Sequence, residues 1–325
     1  MDLPEKANVI RQRPRDRSKL EGLCGVIYTT LLSESYIHVG SSLTPFKLNE
    51  ELLTKLIKNG KKDIRSLLQA AKFMEVMQFN ISGGQPVIPG SSIKGNIRSR
   101  LELSFRPKDG YVRSCFIRAR APLTEAPLRG MHGWRHFKIW GDVLFEERGL
   151  PCDLIRMDKI CLICDLFGTT GLKSLIDFSD FVGEGDARDM LEPLSLEYGM
   201  SLLAAKPGSK FNGRILFHNL SPSELGLLFI GMKVGKSVLL GRLKYRHVVS
   251  GRTFGKARYD VRAIEFLKES RDFEVDGLRI KGGDRVEGAE LIKLVEGLKF
   301  LANVEFKDEI VDVDEVAIVE QIPRY

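Results

Sequence analysis

The chain has 325 residues, of which 43% are hydrophobic and 29% charged, a make-up that excludes collagen-like, wholly disordered and disulfide-scaffold proteins. Fifty Lys and Arg against 43 Asp and Glu leave a mild excess of +7, and five cysteines are too few and too oddly numbered for a disulfide framework. The longest apolar stretch, 225–232, is far short of the roughly 20 residues of a membrane span, so no membrane partner is expected.

In chain order, residues 1–19 are polar and basic. They read as a flexible or partner-ordered arm without the apolar core of a secretory signal, which implies a cytoplasmic address. Residues 20–325 read as one domain. The segment 23–39 is rich in β-branched and aromatic residues and predicts one long strand or two short ones. Apolar spacing over 50–74 predicts a helix pair broken at Asn59-Gly60. The interval 105–170, rich in Gly, Pro, Arg, Cys and His, reads as an irregular insertion. Strands near 213–218, 238–248 and 257–267 and helices at 223–234 and 289–301 complete the series. Without a clean βα alternation the class is α+β, with helices on one face of an antiparallel sheet.

Charge is segregated along this series. Between residues 94 and 120 eight basic residues meet Glu102 and Asp109, and between 242 and 258 six basic residues meet no acid. Tyr111, Phe116, Tyr245, Phe254 and Tyr259 are interleaved with them. Cations with aromatic faces suit a polyanion whose bases can stack. The 305–320 end carries seven acids against Lys307, and is expected to face the basic arm or the basic surface of the next subunit.

The most specific stretch is Val87-Ile88-Pro89-Gly90-Ser91-Ser92-Ile93-Lys94-Gly95-Asn96-Ile97-Arg98. Pro89-Gly90 supplies a turn, and Ser91 or Ser92 an N-cap for a helix whose apolar stripe is Ile93, Ile97, Leu101 and Phe105. The i, i+4 spacing sets Lys94 and Arg98 on one face. Free N–H groups, two hydroxyls and two cations then converge where a phosphate would fit.

Further along, Cys152, Cys161 and Cys164, with His132 or His136, offer three thiolates and an imidazole for a tetrahedral zinc ion that would staple the insertion. Cys24 and Cys115 read as structural. Gly231-Met232-Lys233-Val234-Gly235-Lys236-Ser237 invites a P-loop reading and a nucleotidase as the rival function. It has three residues before Gly-Lys where the P-loop needs four, and a helix precedes it where a strand is required.

Tyr36-Ile37-His38-Val39-Gly40-Ser41-Ser42, the 87–102 string VIPGSSIKGNIRSRLE and Cys161-Leu162-Ile163-Cys164-Asp165-Leu166-Phe167-Gly168, in this order, resemble the RAMP superfamily of CRISPR-associated proteins. Within it the chain most resembles the backbone subunits of type III (Csm/Cmr-type) effector complexes. The resemblance implies a modified RRM-like (ferredoxin-like) core that polymerises along guide RNA. Its partners would be guide RNA, target RNA, other effector subunits and copies of itself. Applied to these positions, it implies RNA contacts from His38, Ser91, Ser92, Lys94 and Arg98, and from a loop holding Gly235, Gly241, Arg242, Lys244 and Arg246. It also supports a zinc-stapled insertion. Active relatives cleave target RNA through an Asp on a short loop between the first two motifs, which here leaves Glu75 and Asp63 as candidate Mg²⁺ ligands. The interval 43–86 reads as mainly helical, with Asp63 as an N-cap, so binding is expected in preference to cleavage. A capping subunit with little RNA contact is the other alternative.

Overall fold

The computed structural model describes residues 6–41, 46–48, 50–60, 71–73, 76–116, 122–196, 201–246 and 248–322. Its main sheet is built from β1 (Leu23–Ser33), β2 (Ile81–Ser82), β3 (Gln85–Ile88), β4 (Ile176–Phe178), β5 (Phe181–Gly183), β6 (Lys210–Leu220), β7 (Ser237–Leu239), β8 (Lys256–Phe266) and β9 (Arg285–Glu287). The helices used below are α1 (Glu50–Lys58), α2 (Gly90–Ser104), α3 (Trp134–Trp140), α4 (Leu162–Phe167), α5 (Pro222–Met232), α6 (Gly288–Glu305) and α7 (Glu315–Gln321). The fold is α+β, as the mixed pattern predicts.

Strands run in the order β7-β8-β1-β6-β5-β3-β2, with β9 added to β8 and β4 to β6, and every neighbouring pair is antiparallel. In β6, buried Phe211, Ile215 and Phe217 alternate with exposed Asn212, Arg214 and Leu216, the period-2 signature of a sheet covered on one side. The covering layer is helical: Ile93, Ile97 and Leu101 of α2, Leu225, Leu228 and Phe229 of α5, and Leu291, Leu294 and Leu298 of α6 join the strand residues in one core. Among the described residues no helix is long and apolar enough to cross a membrane.

Several expectations are met locally. The predicted long strand is β1, continued by single bridges at Tyr36, Ile37 and His38, and α1 ends at Asn59-Gly60. The second helix of that pair falls on residues 61–70, outside the described residues, and 71–73 is a strand. The strand expected over 238–248 stops at Leu239. Gly241 (φ 84°) and Leu243 (φ 66°) turn the backbone into the left-handed region, which breaks extension.

The basic arm is docked on its own chain: residues 6–19 lie along the insertion. Asn8–Val9 pairs in parallel with Tyr111–Val112, and Gln12 bridges Ile160. Arg15 and Arg17 both reach the buried Asp165 carboxylate at 2.7 Å, and Arg15 also meets Glu224 at 2.6 Å. A carboxylate so withdrawn from water requires such partners, and the arm supplies them.

The acidic end also folds back on its own chain. Asp308 pairs with Lys108, Glu309 with Arg113, Glu315 with Arg100, Glu320 with Lys256, and Asp312 with both Lys233 and Lys236. The expectation that these acids face a neighbouring subunit is corrected by that pairing.

Candidate nucleic-acid groove and cysteine cluster

The buried stripe of α2 leaves Ser91, Gly95 and Ser99 exposed on its opposite face, at the i, i+4 spacing of one helix face. This face floors a groove. At one end lies a cavity of about 400 Å³ lined by His38, Gly40, Ser92, Asn96, Arg242 and Lys244. Gly95, Ser99, Gly241, Lys244 and Tyr245 then continue it into a trough of about 2060 Å³, whose far wall is the insertion with Met131, His132 and Trp134.

The wall beside His38 is the turn after β7. Arg242 N–H donates to the His38 carbonyl at 2.8 Å, and a Cβ at Gly241 would stand 2.6 Å from that oxygen, so only glycine lets the turn dock. Arg242, Lys244 and Arg246 form no ion pair among the described residues. Lys244 lies over the Tyr245 ring at 4.9 Å. Burial lowers its pKa, and Glu315 opposes the shift. Burial likewise pushes the Tyr245 phenol up to about 12.

His38 is 1% exposed. Its Nδ1 is 2.6 Å from the Leu203 carbonyl, and because a carbonyl only accepts, Nδ1 carries the hydrogen. The Nε2 lone pair therefore remains and has no hydrogen-bond partner among the described residues. Burial lowers the imidazole pKa, the Leu203 bond opposes that, and Arg242 adds to the lowering, so the neutral ring is favoured. Trp140 Nε1 lies beside the Tyr245 hydroxyl without hydrogen-bond geometry and is buried and unpaired.

The helix start differs from the expected phosphate cradle. α2 begins at Gly90 without a serine cap, and Gly90 N–H donates at 2.8 Å to the Asp180 carboxylate. The protein's own anion thus stands at the first free N–H. Ser91 and Ser92 line the two ends of the groove instead. Lys94 and Arg98 do share a face and both line the trough, but their polar atoms are taken up by the segment after the cysteines and by Glu102. Lys94 Nζ donates to Ser174 Oγ at 2.9 Å, and Arg98, 6% exposed, donates to Glu102, the Gly168 carbonyl and Cys164 Sγ. Arg98 is therefore an internal group, because its donors already meet protein acceptors.

The Sγ atoms of Cys115, Cys152, Cys161 and Cys164 all lie within 4.8 Å of one another. Cys115 Sγ is 3.5 Å from Cys164 and 3.7 Å from Cys161. A tetrahedral zinc with bonds of about 2.3 Å spaces its sulfurs about 3.8 Å apart, while a disulfide needs about 2.05 Å. The donor set fits a metal. Cys115 N–H and Cys161 N–H donate to the sulfurs of Cys161 and Cys152, and Arg98 and Arg11 donate to those of Cys164 and Cys152. Donors of this kind offset the charge of four thiolates. The fourth place falls to Cys115, not to His132 or His136. Both histidines lie on the trough wall, with the His136 ring 5.5 Å from that of Tyr245. A signal for Cys115 was present: four of the five cysteines fall within 105–170.

Asp63 and Glu75 lie outside the described residues. Among those described, the four cysteines are the only group of three or more metal-ligating side chains close enough to share an ion. The Gly231–Ser237 segment is the C-terminal end of α5, capped by left-handed Lys233. Carbonyls face outward at such an end, and Asp312 holds Lys233 and Lys236. Both features disfavour a phosphate.

A family model described as the RAMP superfamily matches residues 30–305. No curated protein matches the chain in sequence. Among solved structures it is similar to the crystal structure of Thermofilum pendens Csc2, with 13% identity over 94% of this chain and 82% of that one, at a TM-score of 0.35.

Proposed function

Because the chain belongs to the RAMP superfamily, we propose that it binds guide RNA along the α2 groove as a backbone subunit of a type III CRISPR ribonucleoprotein. The observation that carries this reading is the placement of Arg242, Lys244 and Arg246, free of ion pairs among the described residues, opposite the small-residue face of α2. A strand of phosphates needs a cationic wall facing a floor that side chains do not block.

The connectivity supports an RRM-like core. Strand order β8-β1-β6-β5, with α2 between β1 and β5 and α5 between β6 and β8, reads as the antiparallel 4-1-3-2 order of the βαββαβ plan. Zinc held by Cys115, Cys152, Cys161 and Cys164 would staple the insertion that forms the far wall. Its role there is structural, because all four ligands are protein thiolates and no position is left open.

The test is binding of single-stranded RNA at several salt concentrations, without nucleotide. A protein with Arg242, Lys244 and Arg246 all changed to Ala should still fold cooperatively, as circular dichroism would show. Its log–log salt slope should shrink by about 2, from about 0.7 per phosphate contact on a single strand. An unchanged slope, or no binding by the unaltered protein, overturns the proposal and favours the capping-subunit reading.

A further inference from the structure

Resting on that reading, we infer that the cavity at His38 reads the ribose 2′-hydroxyl, and so makes the groove selective for RNA over DNA. Three observations combine. His38 is almost fully buried, and its ring is fixed by the Nδ1–H bond to the Leu203 carbonyl, so Nε2 is a positioned acceptor. That acceptor opens into the cavity, where a donor from a ligand can reach it. Gly40 keeps its approach open: a Cβ there would stand 3.2 Å from Nε2. The neighbouring residue across the backbone bridge is Arg242, and Lys244 lines the same cavity.

The cavity therefore offers one hydrogen-bond acceptor beside two cations. In RNA a hydroxyl donor lies next to a phosphate at every nucleotide, which is the complementary arrangement. DNA supplies the phosphate and lacks the donor, and the 2′-hydroxyl is the group by which proteins separate the two polymers. Ser92 and Asn96 on the α2 side are polar and small, leaving room for a sugar.

The experiment measures affinities of the full chain for oligouridylate, its 2′-deoxy counterpart, and 2′-O-methyl and 2′-fluoro strands of the same length. One hydrogen bond sets the expected preference for RNA at about tenfold. The 2′-fluoro strand keeps the sugar pucker of RNA but cannot donate, so it should bind as weakly as the deoxy strand. His38→Ala should bind RNA and DNA alike, whereas Lys244→Ala should weaken both and keep their ratio. The modified strands act on the unaltered protein, so the inference stays testable if His38→Ala fails to fold. Equal binding of RNA and DNA by the unaltered protein overturns the inference and leaves the groove intact. RNA-like binding of the 2′-fluoro strand, or a preference that survives in folded His38→Ala, also overturns it. If neither polymer binds, the groove reading falls with it.

Discussion

The two basic stretches look alike in sequence and behave differently in the fold. In 94–116, Arg98, Arg100, Lys108 and Arg113 are paired with Glu102, Glu315, Asp308 and Glu309, so most of the stretch is tied into the framework, the first two pairs within the interior. In 242–258, Arg252, Lys256 and Arg258 are paired with Glu192, Glu320 and Glu34, while Arg242, Lys244 and Arg246 stand along the groove. A run of like charge in sequence becomes a ligand surface only where the fold brings no acid into ion-pair contact with it. The acidic end supplies such partners to the first stretch, whereas in the second it pairs only with Lys256 and acts on Lys244 at longer range through Glu315.

The comparison breaks most readily at the cysteine cluster, because Arg98 of the first stretch is anchored there. Purified protein should carry one zinc per chain, measured by elemental analysis. His132 and His136 changed together to Ala should retain it, and Cys115→Ala should lose it, with a stability loss upwards of about 5 kcal/mol in denaturant titration. Zinc retained in Cys115→Ala but lost in the double histidine variant would restore the ligand set read from spacing.

A slightly smaller effect is expected at Glu315, which separates framework from groove. Its carboxylate is buried and binds Arg100 at 2.6 Å and the Leu239 N–H at 2.9 Å. Glu315→Ala leaves the Leu239 N–H without its acceptor and the buried Arg100 charge without a carboxylate, although Arg100 keeps the Gly231 carbonyl and Asn96. It should cost about 3–5 kcal/mol, whereas Arg242→Ala should change stability by less than about 0.5 kcal/mol. Burial alone would raise the Glu315 pKa, but Arg100, the Leu239 N–H and Lys244 together hold it below the ordinary 4.5. The stabilisation is therefore complete above the unfolded value and lost as pH falls through the lower folded one. Acid unfolding should be correspondingly less steep in Glu315→Gln, as fluorescence against pH would show. An identical acid transition would remove Glu315 from the framework.

The contrast also explains what the sequence made legible. Period and turn chemistry identified β1, β6, β8, α2, α5 and α6 because each buries a repeating apolar face. The motifs at 36–42 and 87–98 marked both sides of the groove. The destination of individual charges was not legible: whether Arg98 meets a phosphate or Cys164 depends on the packing of the insertion, 66 residues away. Cys115 was likewise hidden by its 37-residue distance from Cys152, and the cap of α2 by Asp180, which arrives from another strand connection. Local patterns encode faces, and long-range pairing decides which polar groups on those faces remain open.

The finest test sits at Gly95, in the middle of α2. A glycine inside a helix costs about 0.5–1 kcal/mol relative to alanine, and a Cβ at Gly95 would meet nothing within 4 Å. The protein's own packing therefore does not require it. Gly95→Ala should stabilise the fold by about 0.5–1 kcal/mol in denaturant titration. If RNA backbone passes over the α2 face, the same methyl group should weaken RNA binding severalfold, so that stability and affinity move in opposite directions. A variant that is both more stable and unimpaired in binding would mean that the strand does not touch this floor. The open cations of the second stretch would then serve a ligand lying elsewhere along the trough.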